Sequence, residues 1–98
     1  MMDARPITIG DAYRLADGLP VIAAPPGFRW APSWSVSHPV LTRALVHSAS
    51  GRTTAAALGI DDMLVRSQSE RDEIAITTQA VIAQRAVRAM IDGAFDAD

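Results

Sequence analysis

The stretch RTTAAALGIDDMLV, residues 52–65 of the 98-residue chain, carries its most specific pattern and the strongest indication of its fold. Alanine has the highest helix propensity, and Gly59 is suited to end a helix that begins at one of the two threonines. Asp61 and Asp62 suit the first turn of a second short helix, because carboxylates there complement the helix dipole. The stretch therefore predicts two short helices joined by a tight turn.

The same residues resemble a helix-turn-helix unit. Ala55, Gly59 and Val65 have the spacing at which such units place a small residue, a turn glycine and an aliphatic core residue. Asp61 and Asp62 depart from the pattern, because carboxylates that open a recognition helix repel DNA phosphates. A structural corner without DNA contacts is therefore the preferred interpretation. In the alternative, DNA would be contacted by Arg52, Thr53, Thr54, Arg66 and Gln68.

Two further helices are predicted before this stretch. Thr8 and Asp11 form a capping box, and a glycine and a proline follow, which predicts a first helix over residues 9–17. Ser37 suits the cap of a second helix and Pro39 is tolerated in its first turn. The buried side of this second helix would consist of Val40, Leu41, Ala44, Leu45 and Ala49.

A long helix is predicted over residues 69–93, beginning with a capping box of Ser69 and Asp72. Apolar residues recur on one side of it at Ile76, Ala80, Ala83, Val87, Met90 and Ala94. Ile74 and Val81 lie on the other side, and a helix that is apolar on two sides needs two neighbours. We therefore expect self-association through Ile74, Val81, Arg85 and Arg88. The predicted fold is one all-α domain of four or five helices spanning residues 1–98.

An extended aromatic segment, residues 19–37, separates the first two predicted helices and contains both tryptophans. Pro26 and Gly27 predict a type II turn, around which residues 21–24 and 28–31 can form a small hairpin. In one interpretation the segment covers the helices as part of the core. In the other it binds a partner, since tryptophan and arginine are frequent interface anchors. The partner-binding residues would be Phe28, Arg29, Trp30 and Trp34, with Trp34 buried and Trp30 partly exposed.

The composition limits the possible functions. The chain has no cysteine, a net charge of −2, and nine basic residues that are all arginine. The absence of lysine and asparagine, with alanine abundant, is typical of a GC-rich bacterial genome or a phage. The first residues do not resemble a signal peptide, and no apolar run reaches the roughly 20 residues of a membrane span. We therefore expect a cytoplasmic protein, or one packaged into something made there.

No residue pattern indicates catalysis or metal binding. His38 and His47 lie nine residues apart in one predicted helix and so face opposite sides of it. No nucleophile elbow occurs, and capping explains the acidic residues at helix starts. The segment SASGRTT, residues 48–54, lacks the spacing of a phosphate-binding loop and is interpreted as a turn. We expect neither an enzyme nor a bound cofactor or metal.

The sequence therefore favours a non-enzymatic protein–protein interaction module, a small assembly factor or inhibitor of bacterial or phage origin, which self-associates through its C-terminal helix. The alternative is a helix-turn-helix DNA-binding regulator dimerised by that helix. A net charge of −2 argues against a dedicated nucleic-acid binder, which usually has a basic excess.

Overall fold

The computed structural model describes residues 8–93, in which three helices accompany a four-stranded antiparallel sheet. The prediction of an all-α fold is therefore wrong, and the domain is α+β. The elements in chain order are α1 (Ile9–Asp17), β1 (Phe28–Trp30), β2 (Ser35–Ser37), β3 (Val40–His47), β4 (Thr53–Gly59), α2 (Ile60–Leu64) and α3 (Gln68–Ile91). Strand β3 is central: β1 and β2 both pair with it on one side, and β4 pairs with it on the other.

The second predicted helix is a strand, β3. Leu41 and Leu45 lie four residues apart, a spacing that fits both the helical period and the two-residue period of a strand. Arg43 between them is buried as well, which the strand period allows and the helical period does not. Pro39 lies in the turn that precedes β3, after a cis His38–Pro39 peptide, and not in a first helical turn.

The alanine-rich stretch is also a strand, so the helix-turn-helix interpretation is wrong. Strand β4 pairs along its whole length with β3, and Ala55 and Leu58 lie on it, while Gly59 is the N-cap of α2. The helix preference of alanine amounts to less than about 1 kcal/mol per residue, and a helix of seven residues is marginal alone. The hydrogen bonds to β3 and the burial of Ala56 and Leu58 outweigh it.

The aromatic segment is strand in part. Its type II turn is confirmed: Gly27 has φ of 86°, and the Phe28 amide donates to the Pro25 carbonyl oxygen at 3.0 Å. The small hairpin is not formed, because β1 pairs with β3 instead of with residues 21–24. Strands β1 and β2 together make one edge of the sheet, interrupted by residues 31–34.

The first and last helices agree with the sequence. Helix α1 has the predicted bounds and the predicted Thr8–Asp11 capping box. The N-cap of helix α3 lies two residues before the predicted one, because the capping box consists of Ser67 and Glu70 and not of Ser69 and Asp72. The Arg71 guanidinium donates to the carbonyl oxygens of Met63 and Leu64, which joins the start of α3 to the end of α2.

The core lies between the helices and one face of the sheet. That face presents the buried residues Phe28, Leu41, Leu45, Ala56 and Leu58. They pack in two clusters against residues of α1, α2 and α3, which include Leu15, Met63, Ala75 and Ala86. Because the described helices all pack on this face, the opposite face of the sheet has no helix over it in residues 8–93.

Candidate interaction surface

The uncovered side of the sheet, called here the open face, is built from small and uncharged side chains. Its residues on β3 are half-buried, and those on β4 are exposed. Directly paired residues share a face in an antiparallel sheet, so the register places four pairs there. They are Val40 with Gly59, Thr42 with Ala57, Ala44 with Ala55, and Val46 with Thr53. Arg29 is the one charged strand residue on this face.

Strand β4 is an edge strand with an unused row of main-chain groups. The His47 amide donates to the Arg52 carbonyl oxygen at 2.8 Å, and the Ile60 amide donates to that of Pro39 at 2.9 Å. Because hydrogen-bonded and non-bonded pairs alternate, residues 54, 56 and 58 direct their main-chain groups toward β3. Those of the intervening residues point away from it, and the Gly59 carbonyl oxygen accepts the first hydrogen bond of helix α2. No other hydrogen bond from residues 8–93 reaches these outward-facing groups. These outward-facing residues are Thr53, Ala55, Ala57 and Gly59.

The two edges of the sheet differ in how they are protected. Soluble proteins usually protect an edge strand with proline, charged residues or a bulge. The β1–β2 edge has such an interruption, since residues 31–34, which include Pro32, lie opposite only Arg43 and Ala44. Strand β4 contains no proline and no charged residue, and its pairing with β3 is unbroken. The β4 edge therefore has main-chain groups with which another strand can pair.

Opposite charges flank β4. Arg52 precedes the strand, and Asp61 and Asp62 follow it at the start of α2. The Asp61 carboxylate lies 3.3 Å from His38 Nε2, and that of Asp62 lies 3.2 Å from the Arg66 guanidinium. The hydrogen bond with Asp62 raises the pKa of Arg66. Both aspartate side chains remain more than half exposed, so they are accessible to a partner.

The four predicted partner-binding residues do not form one surface. Phe28 and Trp34 are buried, with 8% and 5% of their surfaces exposed, and belong to the core clusters. Trp30 is half-buried beneath the Arg43 guanidinium, which lies 5.6 Å from its ring centroid. Arg29 alone is exposed, on the open face. The aromatic segment is mainly core, and its tryptophans differ in burial in the direction that the sequence predicted.

A buried polar network, absent from the sequence-based candidates, fixes this segment. Arg43 is 4% exposed; its Nε donates to the Ala31 carbonyl oxygen at 2.8 Å and its Nη1 to Gln79 Oε1 at 3.2 Å. Gln79 is fully buried and donates from Nε2 to the carbonyl oxygens of Pro20 and Ala75. Burial lowers the pKa of the Arg43 guanidinium. The one signal in the sequence was an arginine at the centre of the apolar run VLTRALV, residues 40–46.

The residues predicted for self-association on α3 are divided. Ile74 packs against the core, whereas Val81, Arg85 and Arg88 are exposed. Ile76, predicted on the buried side, is 45% exposed. Ala83, Val87 and Met90, predicted on the same side, do pack against the core. The prediction was wrong for Ile74 and Ile76 because the buried side of α3 is centred on Ala75, Gln79 and Ala86, and a buried glutamine does not appear in an apolar pattern.

The alternative DNA-binding residues lie at opposite ends of β4. Arg52, Thr53 and Thr54 are at its start, while Arg66 and Gln68 follow α2. Along β4, Thr54 and Gly59 lie about 16 Å apart, at about 3.3 Å per residue, and helix α2 lies between Gly59 and Arg66. Arg66 also pairs with Asp62 and Glu70, and the Gln68 side chain donates to that of Asp72. The structure therefore does not bring these residues together.

Residues 8–93 also contain a histidine–serine contact and an apolar cleft. No group of three or more histidine or acidic residues in this range is placed to hold a metal ion. His47 Nδ1 lies 2.7 Å from Ser50 Oγ, and this contact closes the β3–β4 hairpin loop. A cleft of about 260 Å³ between α1 and β2 is mainly apolar; it is lined by Thr8, Ile9, Ala12, Val36, Ser37 and His38. No helix within these residues has the length and apolarity of a membrane span.

No protein-family model, curated protein or solved structure matches this chain.

Proposed function

We propose that this chain is a non-enzymatic protein-interaction module that docks a protein strand through the β4 edge and the adjoining open face. The observation that carries the proposal is the unprotected edge. The outward-facing main-chain groups of Thr53, Ala55 and Ala57, and the Gly59 amide, have no partner among residues 8–93, and the strand has no charge, proline or bulge. Adding a strand to such an edge is a common way for proteins to recognise one another, because the main-chain hydrogen bonds supply the binding.

The side chains around this edge support the same function. Ala55 and Ala57 are exposed and small, so an incoming strand or sheet can approach the main chain without steric conflict. The aromatic segment is now assigned to the core, and it supports the sheet from the covered side. A role as an assembly factor or inhibitor of bacterial or phage origin, located in the cytoplasm, belongs to this proposal. The composition, with nine arginines and no lysine, supports the bacterial or phage origin.

We do not retain DNA binding as a second function. Its residues lie at the two ends of β4, two of them are engaged with acidic side chains, and the chain carries a net charge of −2. We also propose no catalytic activity, since the Ser–His contact in the described residues belongs to a hairpin loop.

Photo-crosslinking from single positions tests the proposed surface. A photoreactive phenylalanine analogue at Ala55, on the open face of β4, should give protein adducts in bacterial cells that express the chain. The matched control is the same analogue at Gln84, an exposed position on α3, which should give few. Adducts from Gln84 alone would move the docking surface to the helix, and an absence of adducts from both positions would contradict an interaction module.

A further inference from the structure

We infer that the strand bound at the β4 edge is β4 of a second copy, paired antiparallel about a twofold axis at Ala56. This inference rests on the proposed function, because it names the occupant of the same surface. The product would be a symmetric dimer in which the two sheets form one continuous sheet across the axis. In such a closed interface the same patch is used on both subunits.

The hydrogen-bonding pattern of β4 selects this register. A twofold axis between identical antiparallel strands must pass beside a residue that faces its own counterpart. With the axis at Ala56, Thr53 lies opposite the partner's Gly59, and Ala55 lies opposite the partner's Ala57. All four outward-facing residues of each copy are then paired within the strands. This gives about six main-chain hydrogen bonds, because the Gly59 carbonyl oxygen of each copy is bonded within helix α2. An axis at either neighbouring alanine would pair one of the four with a residue outside β4.

The charges that flank β4 favour the same arrangement. In this register Arg52 lies opposite the partner's Ile60, next to the partner's Asp61 and the partner's Asp62. Symmetry repeats the contact at the other end of the strand pair. A parallel pair would instead bring the two Arg52 side chains together, and like charges that face each other destabilise strand pairing. The charges thus complement an antiparallel second copy and oppose a parallel one.

The steric requirements are also met at this edge. On the open face, Ala55 would face the partner's Ala57 and Thr53 would face the partner's Gly59, so no facing pair contains two bulky side chains. On the covered face, Ala56 is fully buried by its own helices and projects no bulky group over the axis. Alanine has no side-chain rotamers to restrict, so docking at these positions costs little side-chain entropy.

Analytical ultracentrifugation of the full chain tests the inference. A dimer should form at about 1 to 100 µM, the range in which a micromolar complex dissociates. Ala57→Pro removes an outward-facing amide without removing a hydrogen bond to β3, and it should weaken the dimer at least about tenfold. Ala57→Ser, which keeps the amide, is the matched control and should leave the dimer unchanged. Circular dichroism shows whether each variant folds.

A second pair of variants keeps the inference testable if Ala57→Pro fails to fold. Arg52→Glu should weaken the dimer, and adding Asp61→Arg to the same chain should restore part of the affinity. An unchanged dimer in Arg52→Glu, or no recovery in the double variant, would contradict the antiparallel register.

Disulfide trapping then measures the register itself, because the wild-type chain has no cysteine. Opposed residues of a hydrogen-bonded pair lie about 5.5 Å apart at Cα, within reach of a disulfide. A mixture of Ala55→Cys and Ala57→Cys chains should therefore form mixed disulfide dimers faster than either chain forms dimers alone. Faster trapping of Ala55→Cys with itself would place the axis at Ala55 and overturn the register.

The inference and the proposed function fail in different ways. A strict monomer up to about 100 µM would overturn self-pairing. If position 55 then crosslinks to a protein of different mass, the interaction module stands with another occupant. If position 55 gives no adduct at all, both are wrong.

Discussion

Replacing Gln79 with leucine should destabilise the domain by about 1.5–3 kcal/mol, although the substitution puts an apolar side chain into a buried site. Gln79 is fully buried and supplies the acceptor for Nη1 of the buried Arg43 guanidinium. A hydrogen bond to a charged group contributes about 1.5–3 kcal/mol, and the Pro20 carbonyl oxygen would lose its donor at a cost of about 1 kcal/mol. The added apolar contact of leucine offsets about 1 kcal/mol of this.

A double-mutant cycle separates the network from simple packing. Arg43→Met leaves Gln79 Oε1 and the Ala31 carbonyl oxygen without donors and removes the cation above the Trp30 ring, so it should cost a similar amount. The double variant removes the buried charge together with its acceptor. It should therefore be less destabilised than the sum of the two single variants, with a coupling energy of about 2 kcal/mol.

Urea unfolding followed by tryptophan fluorescence measures these energies, since Trp34 is buried and Trp30 half-buried in the folded state. The chain concentration must be the same for every variant, because self-association raises apparent stability. Additivity of the two substitutions within about 0.5 kcal/mol would refute the reasoning, as would a Gln79→Leu variant as stable as the wild type.

Three further predictions concern single features of the fold. Trp34→Phe should lower the free energy of unfolding by less than about 1.5 kcal/mol, because Nε1 of Trp34 is buried without a hydrogen-bond partner. Trp34→Ala should lower it by about 3–5 kcal/mol, and equal losses of melting temperature in the two variants would contradict this. The Ser67 amide and hydroxyl lower the pKa of Glu70, so its stabilising effect is present above the unfolded pKa of about 4.3 and is lost as the pH falls through the lowered value. Acid titration of folding should accordingly be less steep in Glu70→Gln, and identical curves would count against the cap. Gly51→Ala should lower stability by about 1 kcal/mol, since Gly51 has φ of 74°, and an unchanged urea midpoint would show that the hairpin turn can relax.

Several features of the fold were predictable because their signals are local. The bounds of α1 follow from a capping box and from the glycine and proline after it, all within a few residues. The type II turn follows from Pro26 and Gly27, whose conformational preferences do not depend on distant residues. The capping box of α3 was misplaced by two residues because two serine-to-acid spacings compete there. The candidate site was not predictable in this way, because only the order of the strands in the folded sheet shows which strand lies at an edge.

The sequence alone thus determined helices α1 and α3, the type II turn and the burial of Trp34. Each of these depends on neighbouring residues or on the large apolar area of one side chain. Only the tertiary structure decided residues 40–59, where the leucine spacing suits helix and strand equally and the alanines prefer helix. The hydrogen bonds between β3 and β4 and the burial of Arg43 against Gln79 join residues distant in sequence. Those interactions exist only once the chain has folded, and they outweigh a local preference of less than about 1 kcal/mol per residue.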